Sequence, residues 1–108
     1  MSVIPPTALG LQTPRGAYTL TLVGEPELSN RSAIVTLGLG RADGIERIAF
    51  RCALPESMLH GDPVSLLKRL APWIERQFEQ LREAALRSIR AEHKLLQIEF
   101  GAAAKPPD

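Results

Sequence analysis

Between Asp62 and Phe100 apolar residues recur in steps of three and four: Leu67, Leu70, Ile74, Phe78, Leu81, Ala85 and Ile89, with Leu96 and Phe100 further on. Such spacing lays them along one stripe of a helix, about 100° wide. Arg69, Arg76, Glu79, Gln80, Glu83, Arg87, Arg90 and Lys94 take the opposite face. Acids fall mainly in its first half and bases in its second, the order that the helix dipole favours. Asp62-Pro63 predicts the start, because Asp can accept from an orphan N–H and Pro loses nothing at the first helical position. Gly101 predicts the stop. Pro72 lies inside the stripe and cannot donate to the carbonyl of Lys68. A break or sharp kink is expected there, with a short helical segment before Pro72 and the main helix opening at it.

Ahead of the helix the period changes to two. Tyr18, Leu20 and Leu22 alternate with Thr19 and Thr21, which predicts a half-buried strand over Ala17–Val23. Gly24–Asn30 is rich in turn formers. A second strand is expected over about Arg31–Leu39, with Ala33, Val35, Leu37 and Leu39 facing inward. Gly40–Gly44, containing Asp43-Gly44, predicts a hairpin loop. The third strand runs from Ile45 to Leu54, with Ile48, Phe50, Cys52 and Leu54 inside and Arg47, Ala49 and Arg51 outside.

Short connections imply antiparallel pairing, and one apolar sheet face needs one covering layer. The expected fold is therefore α+β: a three-stranded antiparallel meander covered on one face by a long C-terminal amphipathic helix. Residues 17–100 would form a single domain, with a flexible N-terminal arm over 1–16 and a flexible tail over 101–108. A helix from Pro72 to Phe100 would span about 43 Å and an eight-residue strand roughly 26 Å, so the helix should overhang its sheet. A second row of small and apolar residues at sevenfold spacing, Ala84, Ala91 and Ile98 joined by Ser88 and Leu95, lies on that late helix. Small residues permit close helix approach, and Ala84, Ala91, Leu95 and Ile98 are the expected interface with a second copy.

Composition narrows the function classes. The chain has 108 residues, 44% hydrophobic and 23% charged, with thirteen bases against twelve acids. A net charge of +1 gives no global pull towards nucleic acid or membrane. One cysteine excludes an internal disulfide and fits a reducing compartment. The first residues show no secretory pattern and no apolar run is long enough to cross a bilayer, so a cytoplasmic protein is expected.

Candidates for chemistry are few. Cys52 alternates onto the inner face, where a thiol behaves as a small hydrophobe. His60 precedes Gly61-Asp62, but Asp62 is the expected helix cap and no nucleophile elbow accompanies the pair. His93 borders the apolar stripe near Glu92. Two histidines and one cysteine far apart show no metal-site spacing. Gly38, Gly40 and Gly44 surround a hairpin rather than preceding a helix, as a phosphate loop requires. Glu75, Glu79 and Glu83 read as a solvated flank. No cofactor, metal or catalytic residue is expected.

Two surfaces remain. The outer sheet face carries Thr19, Thr21, Ile34, Thr36, Arg47, Ala49 and Arg51, and the late helix carries Arg87, Arg90 and Lys94. Either basic set could contact phosphates, although the outer face has no aromatic platform for stacking bases. In order, the β-β-β-α pattern resembles the second part of a double-stranded-RNA-binding domain. Its first helix is missing here, and Asp62-Pro63-Val64-Ser65 replaces the lysine-rich start of that family's final helix. The Ala/Arg/Leu-rich helix after a Thr-rich strand is also similar to small uncharacterised domains of Burkholderia-type bacteria, a resemblance that implies no activity. The expected function is a non-enzymatic bacterial interaction module, homodimeric through the late helix. RNA or DNA binding through Arg47, Arg51, Arg87, Arg90 and Lys94 is the alternative, and a small enzyme using His60 the third possibility.

Overall fold

Pairing begins inside the segment expected to be an arm. The structure, a computed structural model, describes residues 7–101. β1 (Thr7–Thr13) pairs antiparallel with β2 (Gly16–Ser29), with Leu9 opposite Leu20 and Leu11 opposite Tyr18. Leu11 is buried and Leu9 packs against the core, so two leucines isolated among Pro and Gly in the sequence supply the apolar face of a strand. The turn is closed by Thr13, whose Oγ1 donates to the Gly16 carbonyl at 2.8 Å and accepts from the Arg15 N–H at 3.1 Å. The expectation of an arm over 1–16 is corrected from Thr7 onward. Residues 1–6, and 102–108 of the expected tail, lie outside the described residues.

β2 also runs through the expected loop at Gly24–Asn30. It absorbs the turn formers as an irregularity between Val23 and Glu27, where extra residues bulge out of the ladder. The reversal is delayed to Asn30-Arg31, both left-handed at φ 45° and 68°, the twist that a two-residue hairpin needs. β3 (Ser32–Arg41) and β4 (Arg47–Pro55) come next. Their alternation is as expected: Ala33, Val35, Leu37, Leu39, Ile48, Phe50, Cys52 and Leu54 are all buried.

After one turn of 3-10 helix over Glu56–Met58 comes α1 (Pro63–Arg76). Asp62 caps it by accepting from the Ser65 N–H at 2.8 Å. The helix does not stop at Pro72. Its ring is solvent-exposed, while Leu70, Ala71, Trp73 and Ile74 on either side are buried. Tertiary packing thus carries the helix past a residue that costs it one hydrogen bond. The interruption falls at Gln77, where φ −112° and ψ 19° leave helical space. Because Pro72 contributes a backbone penalty and little packing, Pro72→Ala should raise stability by about 1–3 kcal/mol in urea unfolding.

α2 (Phe78–Glu92) ends at His93, left-handed at φ 54°, with its N–H on the Ile89 carbonyl at 3.0 Å. The break expected at Pro72 thus falls at Gln77, and the main helix expected to reach Phe100 ends at Glu92, leaving two helices of about 21 and 22 Å at 1.5 Å per residue. The chain then enters β5 (Leu96–Glu99), parallel to β4 with Leu96 opposite Phe50 and Ile98 opposite Cys52. A parallel strand needs a long crossover, and α1 with α2 supplies it. The sheet order is β1-β2-β3-β4-β5. The α+β class stands, while the three-stranded meander is the centre of a five-stranded mixed sheet.

Both helices lie on one sheet face. Phe78 meets Tyr18 edge-on at 4.7 Å, and Trp73 meets Phe100 at 5.3 Å. The latter contact ties the residue after β5 to α1. No helix among the described residues is long and apolar enough to cross a membrane.

Candidate interaction surface at the edge of the sheet

α2 buries Phe78, Leu81, Ala84 and Ala85, and then leaves the core. Ile89 is 37% exposed and Arg90, Ala91 and Glu92 are exposed. The late flank of α2 and the chain from Lys94 to Gln97 enclose an open groove of about 760 Å³. Ala84, Ala91, Leu95 and Leu96, with the small Ser88 among them, form its bed, and Arg87, Arg90, Glu92 and Lys94 a charged rim. Ser88 Oγ donates to the Lys94 carbonyl at 3.0 Å, which fastens the segment after the helix to its last turns.

Three of the four expected interface residues meet here. Ala84 is buried, while Ala91 and Leu95 are exposed. Ile98 is not among them: it lies on the inner face of β5 and packs against the core. Sevenfold spacing placed it on a helix that ends at Glu92, before Ile98 is reached. Leu95 reaches the groove by a different route from the one predicted, since it comes after the helix rather than extending it.

The five basic candidates do not form one surface. Arg47 and Arg51 point away from the helices, whereas Arg87, Arg90 and Lys94 rim the groove. Arg51 is ion-paired to Glu27, an acid expected in a loop that the β2 irregularity brings onto the outer face. Arg87 pairs with Glu83 at 3.0 Å. Arg90 and Lys94 are exposed and form no ion pair among the described residues.

The chemistry candidates have structural partners. Cys52 is fully buried, and loss of water pushes its thiol up to about 12. His60 Nδ1 lies 3.3 Å from the Arg69 guanidinium, which also donates to the carbonyls of His60 at 3.1 Å and Met58 at 2.8 Å. This arrangement holds the loop before α1. His93 forms the C-cap of α2. Glu75 and Glu79, expected as a solvated row, join the helices to the first hairpin: Glu75 accepts from the Gln12 N–H at 3.2 Å and Glu79 from Arg15 Nε at 3.0 Å. Among the described residues no cluster of three His, Cys, Asp or Glu is placed to hold a metal ion.

A polar cluster that the sequence pattern did not reveal lies where the β3–β4 loop meets α2. Arg82 clasps Glu46 through Nε and Nη2, both at 2.6 Å, and Tyr18 donates its hydroxyl to the same carboxylate at 2.8 Å. The Arg82 bonds hold the Glu46 carboxyl down at about 2, below its ordinary 4.5, and burial raises the Tyr18 phenol. Glu46 reads as one residue of the expected third strand and Arg82 as one of many helix bases, so only their meeting distinguishes them; in the structure β4 starts at Arg47 and leaves Glu46 in the loop before it. The cluster fastens a loop to a helix, and the groove remains the candidate site. No family model matches the chain, and neither does any curated protein or solved structure at a significant level.

Proposed function

We propose that this chain is a non-enzymatic interaction module that associates with a second copy of itself through the α2–β5 groove. The observation that carries the proposal is the meeting of Ala84, Ser88, Ala91 and Leu95 along one open groove. Side chains this small let another backbone approach closely, and exposed Leu95 supplies apolar area to bury. A cytoplasmic setting belongs to the same proposal, since the one cysteine is buried and a disulfide plays no part.

Sedimentation tests it. The parent protein should run above 11.8 kDa at high concentration. Ala91→Glu should shift it towards the monomer mass, because a twofold contact brings two new carboxylates into a site that excludes water. Lys68→Glu, on the exposed side of α1 away from the groove, should leave assembly unchanged. A parent that sediments as a monomer at every concentration overturns the proposal.

Arg90 and Lys94 support a second reading, in which the groove rim contacts nucleic acid. Binding to a generic duplex that weakens steeply with salt would favour it, because phosphate contacts release counterions.

A further inference from the structure

We infer that β5 and Phe100 form a strap that opens from the edge of β4 while the rest of the fold stays closed. The inference does not depend on the self-association proposed above.

The two edge strands are held very differently. β1 has seven residues in an antiparallel ladder, buries Leu11, and is pinned to α1 where the Gln12 N–H donates to the Glu75 carboxylate. β5 has four residues in a parallel ladder, the less stable pairing per residue, and each of them is half-buried or exposed. Leu96, Ile98 and Phe100 touch the core only from its margin. The chain leading to the strand is loose as well. From Ile89 to Leu95 every residue is exposed. The turn between α2 and β5 passes through His93 at φ 54°, a left-handed conformation that is disfavoured for a residue with a Cβ and that opening would relieve.

Contacts at its two ends fasten the strap. At one end the Ser88 hydroxyl donates to the Lys94 carbonyl at 3.0 Å. At the other the Phe100 N–H donates to the Ala53 carbonyl at 2.8 Å, and the Phe100 ring meets Trp73 edge-on at 5.3 Å. Trp73 belongs to α1, so this ring contact reaches across the layer and acts as the clasp. β4 has no such weakness: it pairs with β3 along its whole length, and its Phe50 and Cys52 are 0% exposed. Opening therefore leaves β4 in place. Leu96 and Ile98 withdraw from beside Phe50 and Cys52, and the backbone groups of β4 that face β5, the Ala53 carbonyl among them, become an unpaired edge ready for another strand.

Cys52 reports the opening. Its thiol is buried and pushed up to about 12, so an aryl disulfide reagent reaches it only when the structure beside it opens. With the parent at high dilution, labelling should proceed without urea at a rate nearly independent of urea well below the unfolding midpoint, because opening a short strap exposes little surface. Phe100→Ala removes the clasp and should speed this labelling at least about tenfold. Leu11→Ala, in β1 at the opposite edge of the sheet, should lower the urea midpoint yet leave the rate without urea within about twofold, since the closed and open forms both keep β1. Labelling that is absent without urea, that carries the full urea dependence of global unfolding, or that ignores Phe100→Ala overturns the strap. So does labelling that quickens in Leu11→Ala in step with its loss of stability. The parent and Phe100→Ala decide the matter even if Leu11→Ala fails to fold.

Discussion

Phe50→Ala should lower the free energy of unfolding by about 3–5 kcal/mol, the cost of removing a fully buried aromatic side chain and leaving a cavity. Phe50 is 0% exposed and lies between Leu37 of β3 and Leu96 of β5 on the inner face, under the helices. Two strands and the helix layer would lose contacts together, so little collapse into the space is available. Its neighbour Arg51 points the other way and pairs with the exposed Glu27. Arg51→Ala should cost under about 1 kcal/mol, the usual size for a surface ion pair. Urea unfolding of the two variants measures the contrast. Equal midpoints would mean that β4 is in the wrong register, which would exchange the inner and outer faces of the sheet.

Glu46→Gln should cost about 1–2 kcal/mol at neutral pH, because a charge-assisted pair of hydrogen bonds becomes a neutral one in a partly buried place. About a fifth of each of the Glu46 and Arg82 side chains is exposed, so solvent screens part of the attraction. The pH dependence has a definite sign. The Glu46 carboxyl titrates at about 2 in the folded chain against an ordinary 4.5. Its contribution is complete above 4.5 and fades as pH falls from there towards 2, where the folded carboxylate takes up its proton. The stability difference between the parent and Glu46→Gln should shrink across that window and stay constant above it. A difference that is flat from neutral pH down to the acid limit would show that the Arg82 contact adds no stability.

These two residues illustrate how differently the sequence speaks about its own fold. Phe50 was legible because Ile48, Phe50, Cys52 and Leu54 alternate, and alternation is a local property of an extended backbone. Glu46 was not, because its partner Arg82 lies thirty-six positions away and any of several bases could have served. The same division separates parts of the groove. The row Ala84, Ser88 and Ala91 arises from helical spacing alone. That Leu95 joins it and Ile98 does not depends on where the helix ends.

The sequence by itself determined the inner faces of β3 and β4, the cap at Asp62, the apolar stripe through Ala85 and the α+β class. Each arises from short-range periodicity or from a side chain bonding its own backbone a few residues on. Tertiary structure decided the rest. Leu96 and Phe100 suit a helical stripe by fours, and together with Ile98 a strand by twos, and the free edge of β4 settled the choice by pairing their backbone groups. Leu9 and Leu11 likewise became a strand because β2 offered an edge beside them. Pro72 stayed helical because buried residues on both sides outweigh one missing hydrogen bond. In all three cases local preference was balanced or adverse, and burial against a distant partner outweighed it.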